Sequence, residues 1–377
     1  MIELPPLSLY IHIPWCIRKC PYCDFNSHTS DAIPELDYAR ALIADLEQEL
    51  SLVQNRQLHS IFFGGGTPSL FSATTIEYIL NEVAKRIPFS ADIEITLEAN
   101  PGTVEQEKFS GYAAAGVNRL SIGVQSFNPD HLKSLGRIHN NTEAIKAAAT
   151  AKQAGIDNVN IDLMHGLPQQ NQQQALDDIQ QAIDLEPSHI SWYQLTIEPN
   201  TAFYNTPPTL PSDDKLADIQ YAGEQHLQQH AYYQYEISAY SLQGKQSQHN
   251  INYWSFGDYI GIGAGAHGKQ TDIAQQTILR RWKTRAPKDF LNAKKAFMAG
   301  ERILEQQEIP LEFMMNSLRL NQGFTPQMFE HRTGLSLDVI TAQLNALTQR
   351  GLLEKTGDDI YPTAVGRRFL NTLLEAF

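Results

Sequence analysis

The 377-residue sequence predicts a parallel α/β fold followed by a small α+β domain. Apolar, β-branched runs alternate with helical stretches, the runs recur at the spacing of (β/α) units, and the pattern changes towards the carboxyl terminus. The predicted strands are residues 7–13, 58–63, 93–97, 119–124, 158–163 and 189–195. Six units are too few for a closed eight-stranded barrel, so an open partial barrel or a doubly wound sheet is expected. In either architecture, ligands bind at the carboxyl ends of the strands.

Local signals mark where the helices between these strands begin and end. Gly116 and Gly155 stand where a helix ends with a left-handed residue. Glu186-Pro187 ends a further helix, because proline restricts the residue before it. Thr103 and the three residues after it have the spacing of a capping box, which predicts a helix start.

The chain divides into three predicted parts: a barrel over 1–240, a connecting segment over 241–302 and a winged-helix-like domain over 303–377. The connecting segment is rich in tyrosine and glycine, and its stretch 269–302 carries nine Lys/Arg against three Asp/Glu. We expect this basic stretch to be a solvated face, with docking of an anionic partner as the alternative. In the last part, apolar residues at helical spacing precede a hairpin signal, which predicts helices followed by a two-stranded wing.

The composition excludes several classes of protein. A net charge of −13 argues against a nucleic-acid-binding protein, which needs positive charge to neutralise phosphates. No run of apolar residues is long enough for a transmembrane segment, and the amino terminus lacks the features of an export signal. The sequence therefore predicts a cytoplasmic protein.

Cys16, Cys20 and Cys23 are the strongest chemical signal in the sequence. They directly follow the first predicted strand, and the rest of the chain contains no cysteine. Their loop also carries Arg18 and Lys19, so three inert buried thiols are a poor explanation. A structural zinc ion usually takes four ligands, and no second cysteine pair exists. Three thiolates suit a 4Fe–4S cluster in which one iron is left open for a small chelating ligand.

Polar or glycine-rich elements also follow the other predicted strands. Gly64-Gly65-Gly66-Thr67-Pro68 follows the second strand. A plain tight turn explains such a run on its own, although glycines also let a ligand approach the backbone. Polar side chains at the later strand ends point towards the mouth of a barrel, which favours a shared ligand site over isolated caps. They are Glu98, Gln125, Arg137 and Asp162.

The C-x3-C-x2-C spacing, with the aromatic Tyr22 before its last cysteine, resembles the signature of the radical S-adenosylmethionine (SAM) superfamily. That resemblance implies a partial (β/α)6 barrel, a 4Fe–4S cluster on the three cysteines, and SAM chelated to the open iron. Further motifs narrow the resemblance to the oxygen-independent coproporphyrinogen III oxidase group. This narrower resemblance covers essentially the whole chain. The motifs are YIHIP from Tyr10, GGGTPS from Gly64, EANP from Glu98, GVQS from Gly123 and DLMHG from Asp162.

The resemblance also implies which residues contact SAM. Tyr22 is expected to stack on the adenine, since its ring offers a flat π face. The other expected contacts are Tyr10, Gly65, Gly66, Thr67, Glu98, Gln125, Arg137 and Asp162.

Two departures from the oxidases point to one subgroup. The decarboxylating oxidases have a fourth cysteine where this sequence has Phe25, and they carry a longer extension before the position of Tyr10. The segment from His249 to Trp254 resembles the HNxxYW motif of the HemW-type haem chaperones. This resemblance implies a chaperone that binds haem, delivers it to acceptor apoproteins and is expected to lack coproporphyrinogen oxidase activity. The alternative is an oxygen-independent coproporphyrinogen III dehydrogenase, a radical SAM enzyme that decarboxylates its substrate oxidatively.

Haem contacts are expected from the HNxxYW segment. Imidazole is a common haem ligand, and Tyr253 and Trp254 offer apolar faces to a porphyrin. His267, in a glycine-rich loop, is a second candidate ligand. The alternative is that His249 and Asn250 bond a turn while the two aromatic residues pack in the core. A flavodoxin-like electron donor is a further expected partner, docking on the basic stretch.

Overall fold

The computed structural model of the protein describes residues 1–30, 32–102 and 106–377, so the capping box predicted from Thr103 lies outside the described residues. The strands are β1 (Leu7–Ile13), β2 (Trp15–Cys16), β3 (His28–Thr29), β4 (Leu58–Gly65), β5 (Phe89–Ala99), β6 (Arg119–Gln125), β7 (Asn158–His165), β8 (His189–Gln194), β9 (Tyr233–Glu236), β10 (Ala239–Ser241), β11 (Asp258–Ile262), β12 (His267–Asp272), β13 (Thr277–Lys283), β14 (Met298–Ile303), β15 (Leu353–Thr356) and β16 (Asp359–Pro362). The α-helices are α1 (Glu35–Glu47), α2 (Ala73–Ala84), α3 (Phe109–Ala114), α4 (Pro129–Ser134), α5 (Asn141–Gln153), α6 (Gln172–Asp184), α7 (Ala202–Asn205), α8 (Asp213–Gln229), α9 (Gln248–Trp254), α10 (Pro287–Phe290), α11 (Ile309–Ser317), α12 (Pro326–Thr333), α13 (Thr341–Gln349), α14 (Ala364–Arg368) and α15 (Leu370–Leu374). Within these residues, no helix combines the length and the apolar character needed to cross a bilayer.

Twelve of these strands form one sheet, in the order β14-β13-β12-β11-β1-β4-β5-β6-β7-β8-β10-β9. The strands from β11 to β8 in that order pair in parallel, and the strands outside them pair antiparallel. The six predicted strands are β1 and β4 to β8, which lie side by side in chain order. The partial (β/α)6 barrel is therefore confirmed.

The two faces of the barrel strands differ in chemistry. In β1, Leu7, Leu9 and Ile11 are fully buried in the main hydrophobic core. Ser8 alternates with them and lies in the barrel interior, where its Oγ is 2.7 Å from Ser60 Oγ of β4. The outer face of the sheet thus supplies hydrophobic packing, and the interior is free to carry polar side chains.

The predicted connecting segment supplies strands to the same sheet. Strand β11 pairs in parallel with β1, with Leu7 opposite Asp258, and β12 to β14 extend the sheet beyond it. The expectation that the basic stretch is a solvated face is wrong for its centre. Lys283 is buried, and its Nζ donates to Asp45 Oδ1 at 2.6 Å and to Glu49 Oε1 at 2.5 Å. Alternation along β13 turns this cation inwards, where acidic side chains of the first (β/α) unit compensate it.

The carboxyl-terminal part has a second hydrophobic core. Phe313, Phe329 and Leu347 from three helices and Leu353 from the hairpin are buried together. Strands β15 and β16 form the predicted hairpin, with Gly357 at a φ of 60° in its turn. Helices followed by a two-stranded wing therefore match the winged-helix-like expectation.

Candidate functional site

The cysteine loop leaves the carboxyl end of β1 at the mouth of the barrel. Strands β2 and β3 pair in parallel, with Trp15 opposite His28, and so close the loop at both ends. Asn26 Nδ2 donates to Ala264 O at 2.8 Å and to Arg285 O at 2.9 Å, which ties the loop to distant parts of the chain. The three free thiols line one cavity of about 470 Å³.

The thiols have polar neighbours from other elements. Thr67 Oγ1 donates to Cys16 Sγ at 3.6 Å, and Arg137 Nη1 donates to Cys20 Sγ at 3.7 Å. Burial raises the pKa of the Cys16 and Cys23 thiols above the usual value. The cluster would bind these groups as thiolates. Hydrogen-bond donors to the sulfur atoms stabilise the negative charge of the thiolates.

The number of cysteines bears on whether the site suits a cluster or a single ion. A zinc ion gathers its ligands around one centre, whereas each thiolate of a 4Fe–4S cluster binds a different iron. Three thiols on one cavity, in a sequence with no fourth cysteine, therefore fit a cluster with an open iron.

The glycine run at the end of β4 is required by close packing against the start of the cysteine loop. Gly65 has a φ of 116°, and a Cβ on it would lie 2.5 Å from the His12 ring. A Cβ on Gly66 would lie 2.4 Å from Trp15 O. The tight-turn explanation therefore holds, but both glycines also line the cavity, and Gly65 N donates to Glu98 Oε2 at 3.2 Å.

Glu98 and Asp162 place two half-buried carboxylates on the cavity wall. Asp162 accepts from Ser121 Oγ at 2.9 Å and from Asn160 Nδ2 at 2.7 Å. Burial, followed by the negative charge of Asp162, raises the pKa of Glu98 to about 8, and burial also raises the pKa of Asp162. A cationic ligand would offset the cost of burying the two charges, so the pair is suited to such a ligand.

Arg137 connects the cysteine loop to the strand ends. Its Nη2 donates to Asn100 Oδ1 at 2.8 Å and to Gly123 O at 2.6 Å, and Asn100 Nδ2 donates to Thr67 Oγ1 at 3.2 Å. The buried Nε of Arg137 has no hydrogen-bond partner among the described residues. An unpaired buried donor beside a cavity suits an anionic ligand group. Asn100 was not predicted as a site residue, although it lies in the EANP motif.

Gln125 ends β6 in a left-handed conformation, with a φ of 71°, where the pairing with β7 is irregular. The bulge aims its side chain into the cavity, and its Oε1 accepts from Tyr193 OH at 2.7 Å. Tyr193 was also missed from the sequence, since a tyrosine in a strand is usually core. Tyr22 lines the cavity with its ring centroid 6.3 Å from that of Phe203.

Most of the predicted cluster and SAM residues meet at this cavity. Those that line it are Cys16, Cys20, Cys23, Tyr22, Gly65, Gly66, Thr67, Glu98, Gln125, Arg137 and Asp162. Tyr10 does not line the cavity but lies beneath it in the barrel. Its hydroxyl is 2.9 Å from His12 Nδ1, and its ring stacks at 6.3 Å on Phe62.

The HNxxYW segment forms α9, which closes the opposite end of the barrel. The His249 ring stacks on Phe62 at 4.9 Å, and its Nδ1 lies 3.3 Å from Ser60 Oγ. Burial, followed by the charge of Arg119, lowers the pKa of His249 to about 3, so the imidazole is neutral. His249 and Asn250 therefore lie away from the cysteine cavity.

The rest of α9 packs against neighbouring elements. Tyr253 and Trp254 meet edge to face at 4.7 Å, and the Arg319 guanidinium lies 4.4 Å over the Trp254 ring. These contacts match the packing alternative that the sequence left open, and the haem contacts of the segment stay a prediction. His267 is exposed at the start of β12.

Comparison with known proteins defines the class. The model of the radical SAM superfamily matches residues 10–182, and that of the HemN C-terminal domain matches residues 304–369. Coproporphyrinogen III oxidase (HemN) from Escherichia coli, described as a radical SAM enzyme, superposes with a TM-score of 0.83 at 22% identity, covering 99% of this chain and 90% of its own. The fold is that of a radical SAM protein.

More similar relatives define the family within this class. The chain is 53% identical to heme chaperone HemW of Haemophilus influenzae, over 100% of this chain and 99% of the relative. It is 52% identical to heme chaperone HemW of Escherichia coli, with the same coverage, and 32% identical to that of Bacillus subtilis, over 98% of each chain. The protein therefore belongs to the HemW family.

Proposed function

We propose that this protein is a cytoplasmic haem chaperone that holds a 4Fe–4S cluster and SAM, binds haem and delivers it to acceptor apoproteins. The observation that carries the proposal is the arrangement of three thiols, two half-buried carboxylates and an unpaired arginine donor around one cavity. Phe25 replaces the fourth cysteine of the decarboxylating oxidases, and full-length relatives are named heme chaperone HemW. Together these findings support the chaperone over the oxidase.

In this proposal, Cys16, Cys20 and Cys23 hold three irons of the cluster. When bound, the cluster would supply an open iron that SAM can chelate and a route for one electron. Glu98 and Asp162 would accept the positively charged groups of SAM, because both are acceptors on the cavity wall.

The remaining SAM contacts serve recognition and position. The unpaired Nε of Arg137 would donate to an anionic group, and Tyr22 would stack on the adenine. Gly65, Gly66, Thr67 and Gln125 would contact SAM at the strand ends, with Tyr10 supporting the site from below. The haem contacts of His249, Asn250, Tyr253 and Trp254 remain a prediction from the sequence motif.

A flavodoxin-like electron donor also remains a prediction. The basic stretch on which it was expected to dock is largely paired within the protein. Arg280 Nη2 donates to Glu312 Oε2, and Arg281 Nη1 donates to Glu49 Oε2, at 2.5 and 2.6 Å. Such pairs leave little free charge for a partner.

The experiment that tests the function is an anaerobic incubation of reconstituted protein with SAM, a reductant, and either haem or coproporphyrinogen III. Stable haem uptake, seen as a Soret band that elutes with the protein, with no change in coproporphyrinogen III, is the expected result. Conversion of coproporphyrinogen III to protoporphyrinogen IX would overturn the proposal in favour of the dehydrogenase. Phe25→Cys is the matched variant, since it restores the fourth cysteine of the oxidases without altering the predicted cluster and SAM contacts.

A further inference from the structure

The mouth of the cysteine cavity is ringed by exposed apolar side chains. Ile17 and Phe25 of the cysteine loop are 56% and 65% exposed, and Ile138, from the loop after α4, is 63% exposed. All three line the cavity that also contains the thiols. We call these three residues the apolar rim. Large apolar side chains that stay exposed together at a cavity mouth mark a binding surface rather than a packing defect.

Two cations lie beside the apolar rim. Arg18 and Lys19 follow Ile17 in the cysteine loop, are exposed and line the same cavity. Lys19 Nζ donates to the backbone oxygen of Phe25 at 3.3 Å, and neither side chain forms an ion pair with another described residue. The cations of the basic stretch, in contrast, are largely paired with acidic side chains. Arg18 and Lys19 are free to meet anionic groups of a ligand, in a protein whose net charge is −13.

We propose that haem docks at this mouth, with its macrocycle on the apolar rim and its propionates on Arg18 and Lys19. The proposal rests on the proposed function, which supplies haem as cargo, and adds where the chain holds it. Haem has two wide apolar faces and two carboxylates at one edge of the ring. Three separate apolar side chains beside two adjacent cations match this distribution, and the match does not require an iron ligand from the protein.

The position has a consequence for how cargo and cluster communicate. Haem on the apolar rim would cover the opening of the cavity that holds Cys16, Cys20 and Cys23. The HNxxYW helix, in contrast, lies behind Tyr10 and Phe62 at the other end of the barrel. The two candidate haem sites are therefore far enough apart in the fold to be separated by substitutions.

The first test removes the apolar rim. Anaerobic, cluster-loaded protein with SAM is titrated with haem and followed by its Soret absorbance, for Phe25→Ser/Ile138→Ser and for the control Phe369→Ser/Ile303→Ser. The control residues are 57% and 52% exposed and do not line the cavity. We expect haem affinity to fall about tenfold or more in the rim variant alone, because each lost side chain removes apolar contact area. Iron and sulfide content establish that both variants carry the cluster.

The second test reverses the charges. Arg18→Glu/Lys19→Glu is expected to weaken haem binding at low ionic strength, with the difference from wild type shrinking as salt is added. The matched control is Lys245→Glu/Lys294→Glu, which makes the same change in net charge at exposed positions outside the cavity. Iron-free protoporphyrin IX should show the same losses, since the proposed contacts are to the macrocycle and the propionates.

Three results would overturn the proposal: unchanged haem affinity in both mouth variants, weakened haem binding with unchanged protoporphyrin IX binding, or loss of haem only in His249→Gln. The last result would place haem at the HNxxYW segment instead. Failure of the wild-type protein to take up haem is a different outcome, because it contradicts the proposed function itself.

Discussion

The two ends of the barrel interior are both polar, but they use their polar groups in different ways. At the mouth, Arg137 Nε has no partner among the described residues, and Glu98 accepts a bond from a backbone amide only. At the base, Glu94 accepts from Ser247 Oγ and from His249 N, both at 3.2 Å. The buried Arg119 Nε at the base also lacks a hydrogen-bond partner among the described residues, but it lies 3.8 Å from the Glu94 carboxylate. Within the described residues, Arg137 forms no ion pair, so an unpaired cation marks the ligand site and a paired one marks the structural closure.

The base is also connected to the mouth by a chain of hydrogen bonds. Asn250 Nδ2 donates to Tyr235 OH at 3.3 Å, and Tyr235 OH lies 2.9 Å from His189 Nε2. The other ring nitrogen, His189 Nδ1, is 2.6 Å from Asn160 Oδ1, and Asn160 Nδ2 donates to Asp162. A substitution at the base can therefore reach the mouth through this polar contact chain.

The largest effect is expected at the mouth, for Cys20→Ser. Removal of one thiolate leaves the cluster two cysteine ligands, so bound iron and the brown visible absorption should be lost almost completely after anaerobic reconstitution. The unfolding temperature of the metal-free protein should change little, because the thiol lines a cavity. Ser30→Ala, an exposed substitution near the same loop, is the control. Full cluster occupancy in Cys20→Ser would contradict the assignment of the three cysteines as cluster ligands.

The next largest effect is expected at the base, for Glu94→Ala. Arg119 is 2% exposed and its Nε lies 3.8 Å from Glu94 Oε2, so the substitution leaves a buried cation without its carboxylate. We expect the free energy of unfolding, measured with urea, to fall by about 3 kcal/mol.

Glu94→Gln is the matched comparison, since it keeps an oxygen acceptor for α9 and should lose less stability. Cluster content per folded molecule should stay at the wild-type level in both variants. A stable Glu94→Ala protein that fails to bind the cluster would contradict the division between the two ends.

A smaller, pH-dependent effect is expected for Glu98→Gln. Because the pKa of Glu98 is raised from 4.5 to about 8, the folded protein keeps a proton between these values that the unfolded chain has released. The contribution of Glu98 to the stability of the metal-free protein should therefore fall as pH rises from about 5 to 8. Gln removes this titration, so the variant should melt several degrees above wild type at pH 8 and near wild type at pH 5. Glu354→Gln, at an exposed position of β15, is the control for the removal of one carboxylate.

The smallest effect is expected for Tyr235→Phe at the base. The change removes a hydroxyl that contacts His189 and Asn250 while keeping the ring, so a loss of about 1 kcal/mol in unfolding free energy is expected. Tyr233→Phe, an exposed position in the same strand, is the control. A larger loss, accompanied by weaker SAM binding, would show that the contact chain couples the two ends.

Local patterns were sufficient to predict much of this structure. The six barrel strands were predictable because each is an apolar run with its own flanking signals, and the cysteine cluster because all its ligands lie in one loop. Strand β11 was not predicted, since Asp258–Ile262 is short and merges with a glycine-rich stretch. The pairing of Lys283 with Asp45 and Glu49 was equally hidden, because more than two hundred residues separate the partners.

The functional site was predictable to the same extent, because local patterns do not report contacts between residues that are distant along the chain. Residues at strand ends were predictable because a parallel sheet gathers them at one edge. The contacts of Asn100 with Arg137 and Thr67 depend on side-chain geometry across three elements, which spacing along the chain does not report. The burial of His249 behind Phe62 depends on how α9 closes the barrel, and a motif alone cannot locate it.

The pairing of β11 with β1 also determines the order in which parts of the protein can fold during synthesis. During synthesis, β1 has an open edge until Asp258–Ile262 has left the ribosome, and the cysteine loop lacks its anchors at Ala264 and Arg285 until later still. The cysteine loop thus waits for residues 238 and 259 positions later in the chain before both anchors of Asn26 are present. We expect the iron to be installed only after Arg285 has left the ribosome, so nascent chains truncated before this residue should emerge without the cluster.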